Sequence, residues 1–216
     1  MRNVIENGVA EQLSEEAKHR EPLCHRQLHN CKGQSAIHAA AIIIDRTHSA
    51  LPDGNIPRMI VMDIQAAFTS VVNGMLNNEI MASRIECYLI RWTEKFFSKR
   101  TVEMIIEGEA MAGHPVEAGV SQDSPGSTIL VAINNWGLIK RVKEYVSAEG
   151  LLFLDDLGWV ETGSNINQVV TKLEWCTGKS IQHASRWVLQ FHTAKMEAAL
   201  FTLKRGYNKH LRPNLR

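Results

Sequence analysis

The sequence has little that would suit a membrane or a disulfide-stapled scaffold. No uninterrupted apolar run approaches the ~18 residues of a spanning helix, and Met1-Arg2-Asn3 leads into a polar helical stretch in place of a signal-peptide core. The four cysteines, Cys24, Cys31, Cys87 and Cys176, are too few and too scattered for a disulfide framework, which fits a reducing compartment. An intracellular setting, nuclear or cytoplasmic, is therefore expected. Net charge is also nearly absent, at +1, so any nucleic-acid binding would need a basic groove segregated from an acidic centre. The one local excess is terminal: Lys204, Arg205, Lys209, His210, Arg212 and Arg216 read equally as a solvated tail or as phosphate contacts. Neither internal repeats nor low-complexity segments occur.

What is present is a hydrophobic content of 44% over 216 residues, enough for one compact domain with a sizeable core. Val4 to Lys18 has helical spacing, and Ser35 can cap a helix reaching Ala50 with Ile37, Ala41, Ile44 and His48 on one side. Between them, Cys24, His25, His29 and Cys31 are zinc-type ligands, but no second ligand pair stands elsewhere, so zinc is not expected. Pro52-Asp53-Gly54-Asn55 makes a turn before a strand at Arg58-Met59-Ile60-Val61-Met62-Asp63.

The segments following Asp63 to Leu76 and from Ser83 to Phe97 are helix-like, the second with Ile85, Tyr88, Leu89, Trp92 and Phe96 on a core-facing side. Thr101 to Ile106 alternates and meets Gly108 as a hairpin strand would. A long helix is predicted from Pro125 to about Val146, with Ile129, Ala132, Ile133, Trp136, Ile139 and Val142 along one face. Asn165 to Trp187 is mostly helical with a break near Gly178, and Phe191 to Lys195 leads into a strand from Glu197 to Thr202. The order predicts an α+β fold, an antiparallel sheet backed by helices.

The stretch Leu151-Leu152-Phe153-Leu154-Asp155-Asp156-Leu157-Gly158-Trp159-Val160 places adjacent carboxylates at the bend of a hairpin. Asp is a good turn residue, and that alone would account for it. The strand ending in Asp63 adds a second possibility: two strands that each deliver an Asp at one end can pair and form one acidic site. Carboxylates held that close raise each other's pKa unless a cation lies between them, and Mg²⁺ is the hard ion that suits such oxygens together with phosphates.

Met62-Asp63-Ile64-Gln65-Ala66-Ala67-Phe68, then Gly119-Val120-Ser121-Gln122-Asp123-Ser124-Pro125, then Phe153-Leu154-Asp155-Asp156 resemble the successive palm motifs of reverse transcriptases. The match is best to those of non-LTR, LINE-like retrotransposons, notably fungal ones, and runs from about Asn3 to Gly206. The resemblance implies a right-hand polymerase palm at 58–206, partial fingers at 1–57 and a basic tail at 207–216. It implies an RNA-directed DNA polymerase that uses Mg²⁺ or Mn²⁺, an RNA template, a DNA primer and deoxynucleoside triphosphates, with no membrane partner.

By the same resemblance Asp63 and Asp155 are the principal metal ligands, Asp156 the supporting one, and the Ile64 backbone carbonyl a further contact. Phe68 stands where a bulky ring lies under the incoming sugar and excludes a 2′-hydroxyl. Gln122 matches the family's Gln near the nascent pair, and Lys195 matches the Lys whose cation would meet the leaving pyrophosphate. Lys32-Gly33-Gln34-Ser35 matches the family's basic-Gly-basic-Ser segment only in part.

Other departures count too. The family usually has Asp where this chain has Thr69, and Pro-Gln-Gly where it has Ser121-Gln122-Asp123. The endonuclease, the first fingers motifs and a full thumb are also missing. The expectation is a truncated, diverged copy with little or no activity, for which a non-catalytic relic that keeps the fold and could bind nucleic acid is the alternative.

Overall fold

The computed structural model describes residues 2–20, 35–143 and 148–202. In chain order the elements begin with helices α1 (Arg2–Arg20) and α2 (Ala36–Ala50), strand β1 (Ile56–Gln65), and helices α3 (Asn73–Ala82) and α4 (Cys87–Phe97). Short strands β2 (Thr101–Val102), β3 (Ile105–Ile106), β4 (Glu109–Ala110) and β5 (His114–Pro115) precede helix α5 (Pro125–Lys143). Strands β6 (Glu149–Phe153) and β7 (Asp156–Gly163), helix α6 (Ile166–Arg186), strand β8 (Gln190–Phe191), a 3-10 turn (Thr193–Lys195) and strand β9 (Glu197–Leu200) complete it.

Everything is built on β1. It pairs antiparallel with β7 along one edge, from Ile56↔Gly163 to Asp63↔Asp156, and with β9 and β8 along the other. Beyond β7 lies β6, paired from Glu149↔Val160 to Phe153↔Asp156. Side chains alternate across a strand, so Ile60, Met62 and Ile64 fall on one face and Met59, Val61 and Asp63 on the other.

The first face carries the main core: Ile60, Met62 and Ile64 pack with Leu152, Leu157 and Trp159 against α5 and α6. Removing each such side chain from water stabilises the fold by about 1.5–3 kcal/mol. On the second face α2 covers Met59, Leu151 and Val160 with Ala39, Ile42 and Ile43. That is a different side of α2 from the expected one, since Ile37 and Ile44 are exposed. The helix has isoleucines or alanines nearly all round, so its spacing left two faces open and the sheet chose between them. Ser35 does stand at its N-cap, but its hydroxyl contacts the His38 ring at 3.1 Å in place of a backbone amide.

α5 starts in the way its sequence dictates, with Ser124 ahead of a proline at the first helical position. The expected single apolar face is instead burial on nearly every side, because α1, α3, α6 and β6 all pack against it. Gly126 and Gly137 leave room there for the Trp92 ring and the Glu79 carboxylate. α6 runs unbroken through Gly178, whose missing side chain would meet nothing within 4 Å, so the glycine there is tolerated in an exposed turn. Asn165 caps α6 by accepting from the amides of Asn167 and Gln168.

In α4, Ile85 just before it and Leu89 join the core as expected, while Tyr88 is exposed and donates to Gln12 Oε1. The hairpin begun at Thr101 has two tiers: β2 pairs β5, and β3 pairs β4 around Glu107 and Gly108, both at positive φ as a tight type I′ turn requires. The potential zinc cluster at Cys24–Cys31, Lys32 and Gln34, and the basic residues from Lys204 onward lie outside the described residues. No helix among the described residues is long and apolar enough to cross a membrane.

Candidate active site

β1 does not stop at Asp63, as the sequence had suggested. It continues through Ile64 and Gln65, which pair with Phe191 and Gln190 of β8, and the Asp63 carbonyl accepts from the His192 amide at 2.8 Å. Asp63 is thus held by strands on both sides. Directly across from it on β7 stands Asp156. Opposed residues of an antiparallel pair project to the same face with Cβ atoms ~4.5–5.5 Å apart, so the carboxylates are neighbours. Both lie on the face away from the buried Met62 and Leu157, past the part of the sheet that α2 covers.

Asp155 arrives by a different device. Phe153 and Asp156 are the last pair of the β6–β7 hairpin, which leaves Leu154 and Asp155 as a two-residue loop. Leu154 has φ 56, a conformation that costs a non-glycine residue ~1–2 kcal/mol. The Asp155 carbonyl accepts from the Ile64 amide at 2.7 Å, so the turn is fastened to β1 one residue past Asp63. An extended residue sends its N–H and C=O to the same edge, which aims the Ile64 carbonyl toward this turn as well. The Leu154 carbonyl accepts from Asn135 Nδ2 of α5 at 3.1 Å.

Lys195, carried by the 3-10 turn after β8, places Nζ 3.3 Å from Asp63 Oδ2. Its side chain is 61% exposed, so the pair contributes at most ~1 kcal/mol and the ammonium remains free to exchange partners. Asp156 has its pKa raised, chiefly by partial removal from water, then by the charges of Asp155 and Asp63, with Lys195 opposing. A carboxyl whose pKa rises on folding weighs against the folded state once it ionises, and that cost disappears as pH falls below the ordinary carboxylate range. The expected result is that metal-free Asp156→Asn melts above the wild-type chain at pH 7 and that the two converge at acid pH. Equal melting at pH 7 would remove the repulsion argument.

The other motif residues meet beside β1. After Gln65 the chain turns through Ala66, at φ 54, so that Thr69 and Ser70 donate back to the Ala66 carbonyl. The segment before α5 docks on this turn: Gly119 N–H donates to the Val71 carbonyl at 2.7 Å and Val120 N–H to the Phe68 carbonyl at 2.8 Å. Gly119 has φ 86, and a Cβ there would lie 2.9 Å from the Thr69 carbonyl oxygen, so the approach requires glycine. The Arg100 guanidinium donates to the Gly119 carbonyl.

Phe68 is half-buried against the core, and Gln122 and Asp123 are exposed. Asp123 is not at positive φ, so its backbone carries none of the strain that replacing a glycine would suggest. Ser124 Oγ donates to the buried Glu6 carboxylate of α1 at 2.8 Å, anchoring the end of the loop. Sequence reasoning did not single out Asn135, Arg100 or Glu6. The signal for Asn135 was there, since an Asn pair in the middle of an apolar helix needs a polar partner.

The fit to a metal ion can be judged from the donors. Among the described residues no three His, Cys, Asp or Glu side chains are grouped closely enough to hold one between them. The donors at hand are carboxylate and carbonyl oxygens, the set Mg²⁺ takes, and that ion usually binds through one or two carboxylates completed by water and substrate phosphates.

No protein-family model matches the sequence, and no curated protein is similar to it. The fold is similar to solved telomerases. For telomerase from Candida tropicalis the TM-score is 0.71 at 12% identity, covering 95% of this chain and 37% of that one. For the same telomerase truncated from its C-terminal domain it is 0.64 at 12% identity, covering 92% and 41%. For telomerase from Candida albicans in complex with a TWJ fragment of telomeric RNA it is 0.67 at 12% identity, covering 90% and 35%. This chain therefore spans less than half the length of each. The likeness is one of fold: α+β, with an antiparallel sheet backed by helices.

Proposed function

We propose that this chain is the palm, with part of the fingers, of an RNA-directed DNA polymerase of the non-LTR retrotransposon type. In this reading 1–57 belong to the fingers, 58–206 to the palm and 207–216 to a basic tail. The observation that carries it is the pairing of Asp63 with Asp156 across β1 and β7, with Asp155 in the adjoining turn and Lys195 at hand. An unrelated carboxylate site would need neither the ordered Gln122 loop nor its docking on the Phe68 turn. The telomerase from Candida albicans was solved with an RNA fragment, which supports RNA as a partner.

Bound divalent ions would supply positive charge at the attacking hydroxyl, the α-phosphate and the leaving pyrophosphate. Asp63 and Asp155 would hold them, with Asp156 and the Ile64 carbonyl in support. Lys195 offers its ammonium to the pyrophosphate, as a charge or as a proton donor. Phe68 lies under the sugar and excludes a 2′-hydroxyl. Phe68→Val should accordingly admit ribonucleotides, read as the ratio of ribo- to deoxynucleotide incorporation. Selectivity that survives the change would make Phe68 an ordinary core residue.

One observation favours a non-catalytic, nucleic-acid-binding relic as the second reading. Asp123 is an exposed carboxylate in the loop that would face the template, where its charge repels phosphates. The test is primer extension on RNA and DNA templates with Mg²⁺ and with Mn²⁺, comparing the native chain with Asp123→Gly. The native chain should be slow, and the variant should bind template more tightly, most of all at low salt. Template binding without extension in both chains would select the relic, and neither binding nor extension would reject the polymerase reading.

A further inference from the structure

The polar contact that the main core least explains lies beneath the carboxylate turn. Asn134 and Asn135 interrupt a part of α5 otherwise made of Leu130, Val131, Ala132, Ile133 and Trp136, and they are 2% and 0% exposed. A buried amide without partners costs ~1–3 kcal/mol. Asn135 Nδ2 donates to the Leu154 carbonyl at 3.1 Å, and Asn135 Oδ1 accepts from Asn134 Nδ2 at 3.4 Å. A carbonyl oxygen only accepts, so the amide nitrogen must face Leu154 and the orientation of Asn135 is fixed chemically.

Leu154 needs such a partner. Its φ of 56 is one that Asn or Asp can support through a short polar side chain and that Leu cannot. Conformations of this kind persist where the surroundings over-determine them.

We propose that Asn135 is a positioning residue, whose amide holds the strained Leu154 turn and so presents Asp155 and Asp156 to Asp63. Its consequence for catalysis rests on the polymerase reading above. Its geometry does not. α5 begins directly after the Gln122 loop, and about ten residues of helix, ~15 Å at 1.5 Å per residue, separate Pro125 from Asn135. One rigid element therefore sets both the loop and the turn.

The test uses the Ile64 amide, which donates to the Asp155 carbonyl and reports on the turn without any metal. In Asn135→Leu, hydrogen exchange at Ile64 should accelerate by about tenfold or more relative to Ile60 in the middle of β1. Adding Leu154→Gly should restore it, because glycine takes positive φ unaided. Mn²⁺ affinity, measured by electron paramagnetic resonance of the free ion, should fall and recover in parallel. Asn135→Ser, which leaves space for a water, serves if the leucine variant does not fold.

Exchange that stays unchanged at Ile64, rises equally at Ile60, or is not restored by Leu154→Gly overturns the proposal. A wild-type chain that binds no Mn²⁺ but shows the expected exchange pattern keeps Asn135 as the holder of the turn and rejects the polymerase chemistry.

Discussion

In the proposed polymerase, Asp155→Asn should leave the fold intact and cut primer extension by about 100-fold or more, which corresponds to ~2.7 kcal/mol of lost transition-state stabilisation. The substitution exchanges one carboxylate oxygen for an amide nitrogen of the same shape. Its backbone carbonyl still accepts from Ile64, so the turn keeps its tie to β1. On the proposed reading, what is lost is a charged oxygen ligand, and a hard divalent ion binds a neutral amide far less well. Asp155 is a cleaner probe than Asp63, whose replacement would also release Lys195. Extension and Mn²⁺ affinity should be measured in the same preparation. Loss of both supports the ligand role, whereas unchanged metal affinity counts against it.

Gly119→Ala should lower stability by about 2–5 kcal/mol in urea denaturation. The positive φ alone costs an L-residue ~1–2 kcal/mol, and forcing a methyl group into a closed space adds ~1–3. The space here is bounded by backbone, the Thr69 carbonyl oxygen at 2.9 Å, which has no rotamer to change. Gly158 makes a useful control: its added Cβ would meet the Met59 methyl at the same distance of 2.9 Å, but that is the far end of a flexible side chain. Gly158→Ala should therefore be much milder. A Gly119→Ala loss no greater than that of Gly158→Ala would mean that the Phe68 turn and the Gln122 loop can part. In the proposed polymerase the same substitution should also reduce extension, because the hydrogen bond between Val120 and Phe68 spans this contact.

Two kinds of information were present in the chain from the start. Local pattern was one: the apolar run of β1, the helical spacing of α1 and α4, and the Ser124-Pro125 start of α5 follow from side-chain and backbone preferences within a few residues. The order of the motifs around Asp63, Gln122 and Asp155 was the other; it suggested an antiparallel sheet backed by helices, and the fold has that architecture and is similar to that of solved telomerases. Tertiary structure decided what depends on partners far away in the chain. The side of α2 that is buried depended on the sheet it meets, since apolar residues cover the helix nearly all round. That α5 is enclosed on nearly every side depended on α1, α3, α6 and β6 arriving around it. The continuation of β1 past Asp63 required β8, and the opposition of Asp63 and Asp156 required the β1–β7 register, in which a slip of one residue would turn one carboxylate to the opposite face. The hold of Asn135 on Leu154 required a helix and a hairpin to meet, because a side-chain hydrogen bond between distant segments leaves no periodic trace in either of them.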